Sequence, residues 1–313
     1  MKTIKIRPRG YCHGVVNAIN TITNLDHLSM KLPVYILGMV IHNKQMVSSL
    51  ENLGYITLHD PSKTRIELLD LIESGTVIFT AHGVSPEVYK KAKQKGLDII
   101  DTTCDDVFKS QNVIKEYLKK GYEIIYIGKH THPESEAARG ISNKIHIIEK
   151  MSELYNLQIE NSKIVITNQT TMSIYDVFNI SEKVKEFYPN VEFINEICNA
   201  TRIRQEAVSN IPQEVEHVYV VGDKLSNNSK KLVEVASTKG NTSSSLIESI
   251  TDIDLLELSK YNCVAVSSGA STPTRVTSEV IKFLEQFDKD DSSTHDTRSH
   301  LTINNLLTKK ALS

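Results

Sequence analysis

Apolar and polar positions alternate along this chain in two rhythms that take turns. Short runs rich in valine and isoleucine end in glycine and polar residues: VYILGMVIHN (34–43), IIYIGKHTHPE (124–134) and VYVVGDKLSNNS (218–229). A second set has the same form: VIFTAHGVS (77–85), IVITNQTTMS (164–173) and VAVSSGASTP (264–273). Such runs predict buried strands followed by polar loops. Between them the apolar spacing is helical. Val15, Val16, Ala18, Ile19 and Ile22 share a face, as do Val107, Val113, Ile114 and Tyr117, with Gly121 as a stop. Strands alternating with helices predict α/β units with mainly parallel sheets, whose ligand crevices lie at strand carboxyl ends.

The pattern repeats three times. Cys12, Cys104 and Cys198 are 92 and 94 residues apart, and each stands just before a helical stretch. Glycines 38, 128 and 222 follow them by 26, 24 and 24 residues; His82, Thr170 and Gly269 follow by 70, 66 and 71. Three units therefore share one plan: cysteine, helix, strand, polar loop, helix, strand, polar loop. The boundaries fall at 14–103, 104–197 and 198–288, with residues 1–13 assigned to the third unit because TIKIRP is expected to join its sheet. A polar tail follows at 289–313. ENLGYITLHDPSKTRIELLDLI and ITDIDLLELSKYN look like plain connecting segments.

At 313 residues the chain exceeds what one core usually serves. A net charge of −2 gives no reason to expect nucleic acid or an anionic membrane as partner, and no apolar run approaches a membrane span. The opening residues lack a signal-peptide core, and four cysteines make no disulfide framework, so the cytoplasm is expected.

A thiol at a helix start lies beside unpaired N–H groups and the positive dipole end, which favours the thiolate, the metal-binding form. Three such thiols suit an iron–sulfur cluster with one iron left without a protein ligand. Zinc is the rival, although no C-x-x-C pair is present. Cys263 opens an apolar strand outside the repeat and reads as a core thiol. His42, His82, His132, Thr170, Ser226, Asn228 and Ser271 stand in the strand-end loops, where hydroxyls, imidazoles, amides and helix starts suit phosphate oxygens. Glu134, after His132 and Pro133, is the candidate proton source. No Walker or dinucleotide fingerprint is present.

PRGYCHGV, LGMVIHN, TAHGVSPEV, DTTCDDV, HPE, NQTTMS, EICNATRIRQ, SNNS and SGASTP occur in the order seen in the 4-hydroxy-3-methylbut-2-enyl diphosphate reductase family, which the chain resembles from about Ile4 to Asp288. The resemblance implies three pseudo-threefold-related α/β modules around a central [4Fe–4S] cluster held by Cys12, Cys104 and Cys198. It places diphosphate and hydroxyl contacts on His42, His82, His132, Thr170, Ser226, Asn227, Asn228 and Ser271, and the proton donor on Glu134. The implied reaction removes the allylic hydroxyl of 4-hydroxy-3-methylbut-2-enyl diphosphate, giving isopentenyl and dimethylallyl diphosphates. An external donor of ferredoxin or flavodoxin type is implied, and the oligomeric state stays open between monomer and homodimer. Asp105 stands where many relatives have proline, Asn227 where many have serine, and Lys230 and Lys231 where arginine is frequent. A zinc-dependent diphosphate hydrolase, which would need no reductant, and a non-catalytic iron–sulfur sensor are the alternatives.

Overall fold

The computed structural model describes residues 1–26, 28–299 and 301. Its core is three four-stranded sheets, parallel throughout. The first contains β2 (Val34–Leu37), β3 (Ile56–Leu58), β4 (Thr76–Phe79) and β5 (Asp98–Asp101), in the order β3-β2-β4-β5. The second contains β6 (Glu123–Ile127), β7 (Ile145–Ile148), β8 (Ile164–Asn168) and β9 (Glu192–Phe193), in the order β7-β6-β8-β9. The third contains β10 (His217–Val221), β11 (Ser243–Ile247) and β12 (Cys263–Ser268), and is completed by β1 (Lys2–Lys5). β1 pairs with β12 from Lys2 opposite Cys263 to Lys5 opposite Val266, as the sequence leads one to expect of TIKIRP.

All three sheets thus have one topology: second strand, first, third, fourth. From the first strand the chain crosses to one side and then returns to the other, so the loops after the first and third strands part company. That is the switch point where open α/β sheets form ligand crevices. The six polar loops recognised in the sequence are these six loops. The central strands are buried on both faces, which explains their unbroken apolar runs.

The helices are α1 (His13–Thr23), α2 (Lys44–Glu51), α3 (Arg65–Asp70), α4 (Pro86–Gln94), α5 (Asp105–Lys119), α6 (Pro133–Arg139), α7 (Ile174–Phe187), α8 (Asn199–Ser209), α9 (Asn227–Thr238), α10 (Leu255–Leu258) and α11 (Thr274–Gln286). Helix α5 ends as the sequence indicates, with Gly121 left-handed at φ +86° just beyond it.

By contact density the chain forms two compact units. One comprises Met1–Val16, His42–Ser49 and the chain from Asn199, and carries the third sheet. Its core joins β10 and β12 to α11 through Val221, Val264, Val266, Val280 and Leu284. The other comprises Asn17–Ile41 and Leu50–Cys198, and carries the first two sheets over cores such as Phe79, Leu68 and Val88, or Ile127, Ile166 and Val184.

The described part of the polar stretch after Asp288 is tied back to α11 and its end. His295 stacks on Phe287, its Nε2 lies 2.7 Å from the Asp288 carbonyl, and Ser299 donates to Glu279. Residues 300 and 302–313 of the expected tail lie outside the described residues.

One glycine has a positional role in the AHG loop. Gly83 sits at φ +73°, and a Cβ there would come within 2.9 Å of Gln111 Nε2 and 3.1 Å of Val107 Cγ1, both on α5. Gly83→Ala is expected to cost about 1–2 kcal/mol from the left-handed backbone alone. Thermal unfolding followed by circular dichroism should show the loss, and an unchanged Tm would mean that the loop relaxes freely.

Candidate functional site

Each cysteine follows the fourth strand of a sheet: Cys104 after β5, Cys198 after β9, Cys12 after β1. Each also opens a helix, α5, α8 and α1 respectively. A single backbone bond fixes all three in the same way. The amide of Cys12 donates to the Ala270 carbonyl at 2.9 Å, that of Cys104 to Ala81 at 3.0 Å, and that of Cys198 to Thr170 at 3.1 Å. Ala81, Thr170 and Ala270 all lie in loops after third strands. The uneven sequence offsets of His82, Thr170 and Gly269 thus conceal a regular backbone equivalence. None of the three cysteines is in a disulfide, and each is partly exposed. Three accessible thiols at helix starts are a donor set that fits an iron–sulfur cluster. Cys263 is buried in β12, where burial pushes its thiol up from the ordinary value, as befits a core thiol.

In the unit with the first two sheets, His82, His132, Glu134 and Thr170 gather with Cys104 and Cys198 at strand carboxyl ends. His132 is the N-cap of α6, its Nδ1 accepting the Glu134 amide at 3.2 Å, and its ring meets that of His82 edge-on at 5.5 Å. Glu134 is only 5 % exposed. The Thr170 amide donates to one of its carboxyl oxygens and the Thr170 hydroxyl to the other, both at 2.9 Å. Burial outweighs these two bonds, which favour the carboxylate, and the charge of Asp106 adds to it; the carboxyl is pushed up to about 7. Thr170 therefore touches Glu134 with its side chain and Cys198 with its carbonyl.

Two neighbours of Thr170 have roles that the motif NQTT did not disclose. Asn168 Oδ1 accepts the Glu196 amide at 3.1 Å, holding the segment that leads to Cys198. Gln169, fully buried, accepts the Lys129 amide at 3.0 Å and donates to Thr171 Oγ1 at 2.6 Å, tying the loop after β6 to the loop after β8. Lys109 on α5 pairs with Glu196 at 3.4 Å.

In the unit with the third sheet, His42, Ser226, Asn227, Asn228 and Ser271 gather with Cys12. The Ser271 hydroxyl donates to the His42 carbonyl at 3.2 Å and lies 3.5 Å from Ser226 Oγ. Ser226 caps α9 by accepting the Ser229 amide, and Asn227 and Asn228 form the first turn of that helix. Asn228 is largely committed to structure: its Oδ1 accepts the Ala270 amide and its Nδ2 donates to Thr201 Oγ1, leaving one amide N–H to spare. Ala270 thus links Asn228 to Cys12. Arg204, buried, donates to the Gly10 carbonyl at 2.9 Å and so holds the loop that presents Cys12. Asn43, rather than His42, caps α2 by accepting the Met46 amide at 2.8 Å. The helix-capping equivalents are therefore Asn43, His132 and Ser226. The departures are accommodated: Asp105 lies in the first turn of α5, which suits a carboxylate, and Lys231 pairs with Glu234 on the surface of α9.

Sheets of one topology, each delivering hydroxyl, imidazole or amide groups at its switch point and a cysteine after its fourth strand, define a modular α/β protein with thiol-bearing ligand loops. Residues 3–285 match the model of the LytB protein family, and the chain belongs to that family. It is 49% identical over 312 residues to the 4-hydroxy-3-methylbut-2-enyl diphosphate reductase of Geobacillus sp. (strain WCH70), covering 99% of this chain and 98% of that one. It is 48% identical to the Bacillus subtilis (strain 168) enzyme of the same name, with the same coverage. Among solved structures, the E-1-hydroxy-2-methyl-but-2-enyl-4-diphosphate reductase of Plasmodium falciparum superposes with a TM-score of 0.84 at 30% identity, covering 98% of this chain and 96% of that chain. A structure of (E)-4-hydroxy-3-methyl-but-2-enyl diphosphate reductase, the terminal enzyme of the non-mevalonate pathway, gives 0.63 at 27% identity, covering 92% of this chain and 100% of that one. Among the described residues no helix is long and apolar enough to cross a membrane.

Proposed function

We propose that this chain catalyses the reductive dehydroxylation of 4-hydroxy-3-methylbut-2-enyl diphosphate to isopentenyl and dimethylallyl diphosphates, the last step of the methylerythritol phosphate route. The observation that carries the reading is the buried Glu134 carboxyl, held by Thr170 in the first turn of α6 behind the capping His132, in a chain whose relatives bear that activity.

Across the modules 14–103, 104–197 and 198–288 with 1–13, Cys12, Cys104 and Cys198, one after the fourth strand of each sheet, would hold one [4Fe–4S] cluster. When bound, that cluster would pass on the two reducing electrons of the external donor and offer an iron without a protein ligand to polarise the substrate hydroxyl. His42, His82, His132, Ser226, Asn227, Asn228 and Ser271 take the diphosphate oxygens, with the capped helix starts adding N–H groups. Anchoring the diphosphate makes the encounter of hydroxyl and proton donor effectively intramolecular. The reaction consumes two electrons and two protons: the C–O bond breaks, the hydroxyl leaves as water, and a C–H bond forms. Glu134 delivers a proton through the Thr170 hydroxyl, whose bond to the carboxyl reverses direction when the carboxyl is neutral. A carboxyl near 7 is neutral for much of the time at working pH, as a donor must be. The electrons come from an external ferredoxin or flavodoxin in the cytoplasm.

Iron and acid-labile sulfide measured on anaerobically purified protein should give about four of each per chain. The visible spectrum should change when the hydroxylated diphosphate is added. Zinc in stoichiometric amount without sulfide, and turnover without reductant, would instead make the protein a hydrolase.

A further inference from the structure

We infer that Arg65, through its ion pair with Glu136, is a positioning residue that sets the first turn of α6 and so holds Glu134 and His132 in working geometry. The inference rests on the proposed role of Glu134.

Arg65 belongs to a segment without any motif. It is the first residue of α3, entered by Thr64 and Glu67 in a reciprocal capping box. From there it meets Glu136 twice. Its backbone amide donates to Glu136 Oε1 at 2.6 Å, and its Nη1 donates to Oε2 at 3.1 Å. Both carboxyl oxygens are thereby fixed, in a pair only 12 % and 28 % exposed. Burial pulls the guanidinium down from its ordinary value and Glu136 pulls it back up, so the pairing compensates desolvation. The far side of the guanidinium is enclosed as well. Gly38, at φ +97° just beyond β2, lies so close that a Cβ there would be 2.9 Å from Nη2.

Glu136 is two residues beyond Glu134 on a helix of seven residues. So short a helix does not hold its own orientation. The structure braces it on three sides. Glu134 is bound by Thr170 after β8, Glu136 by Arg65, and Gly140 at its end packs closely against Ser85, the N-cap of α4. Arg65 and Ser85 belong to the side of the first sheet, Thr170 to the second. Removing Arg65 leaves Glu136 half-buried without its cation and frees the turn between Thr170 and Ser85. Glu134 then loses its fixed distance to Thr170 and admits water. Besides Thr170, the groups facing Glu134 are Asp106, Tyr126 and His132, and none of them replaces the lost brace.

The test compares Arg65→Met, Arg65→Lys and Glu136→Gln with wild type, each normalised to its bound iron. We expect kcat to fall about 10–100-fold in Arg65→Met, as for other residues that orient a reacting group, with KM changing much less. Arg65→Lys should recover part of the loss, because it restores charge without the fork, and Glu136→Gln should lie between. A second readout does not depend on turnover. Carboxyl ¹³C titration of Glu134, assigned by its disappearance in Glu134→Gln, should show a midpoint displaced downward in Arg65→Met. A native Glu134 midpoint in Arg65→Met, or Arg65→Lys no better than Arg65→Met, would overturn the positioning role. Absence of turnover in wild type together with a displaced midpoint would instead reject the reductase reading and leave the brace standing.

Discussion

Glu134→Gln is expected to lower kcat by about 10²–10⁴-fold, the usual worth of a positioned proton donor, while making the protein more stable at pH 8 than wild type. Both effects come from the same desolvation. In the unfolded chain Glu134 titrates near 4.5, whereas burial in the folded chain pushes it to about 7. Below pH 4.5 both states hold the proton and burial costs nothing electrostatically. Between pH 4.5 and 7 the unfolded state releases its proton and the folded state does not, so stability falls as pH rises. Above pH 7 the penalty levels off at roughly 3 kcal/mol, each tenfold change in proton affinity being worth about 1.4 kcal/mol. Glutamine is neutral throughout and still meets the Thr170 amide and hydroxyl. Urea unfolding at pH 5 and pH 8 should therefore show wild type and variant diverging with pH, the variant gaining. Wild-type kcat should fall above pH 7 as the donor ionises, and that limb should be missing from the variant's residual activity. A variant with native kcat would remove Glu134 from the proton path. A stability difference independent of pH would mean that the carboxyl is not held neutral in the fold.

The sequence made the repeat and its cysteines legible because local patterns carry them. Glycine-ended apolar runs mark strands, polar residues after them mark loops, and the same order recurs three times. Even the long-range closure by β1 was readable, since the first unit begins only at its cysteine. Bonds between distant segments were not. Arg65 meets Glu136 across 71 residues and Arg204 meets Gly10 across 194, and no local pattern names either residue's partner. Asn43 and His42 are adjacent polar residues of one loop, and which of them caps α2 depends on a backbone angle that composition does not reveal. Asn168 and Gln169 were visible only as part of a motif. Their role is to hold other backbones in place, and side-chain type alone leaves it open which backbone that is.

Replacing a thiolate tests the metal assignment most directly, and the two kinds of cysteine in this chain should respond in opposite ways. Cys104→Ser keeps the shape of the residue, its amide bond to the Ala81 carbonyl and the start of α5. The fold should therefore survive, with a stability change within about 0.5 kcal/mol in metal-free protein, as for a substitution at a partly exposed position. The serine hydroxyl, however, stays protonated at neutral pH and is a poor ligand for iron, so iron and sulfide per chain should drop sharply. Turnover should fall by at least the 10–100-fold typical of losing a mere supporting partner of a metal site. Cys263→Ser reverses the pattern. It puts a hydroxyl into a buried strand packed between β1 and β10, where an unpaired polar group costs about 1–3 kcal/mol, while the cluster ligands are untouched. Stability should fall and iron content should not. Iron and sulfide assays beside urea unfolding on the same two variants separate the cases. Full iron retention in Cys104→Ser would exclude it as a ligand whatever happens to activity, because a variant can lose turnover for many reasons but keeps its cluster only if the ligands remain.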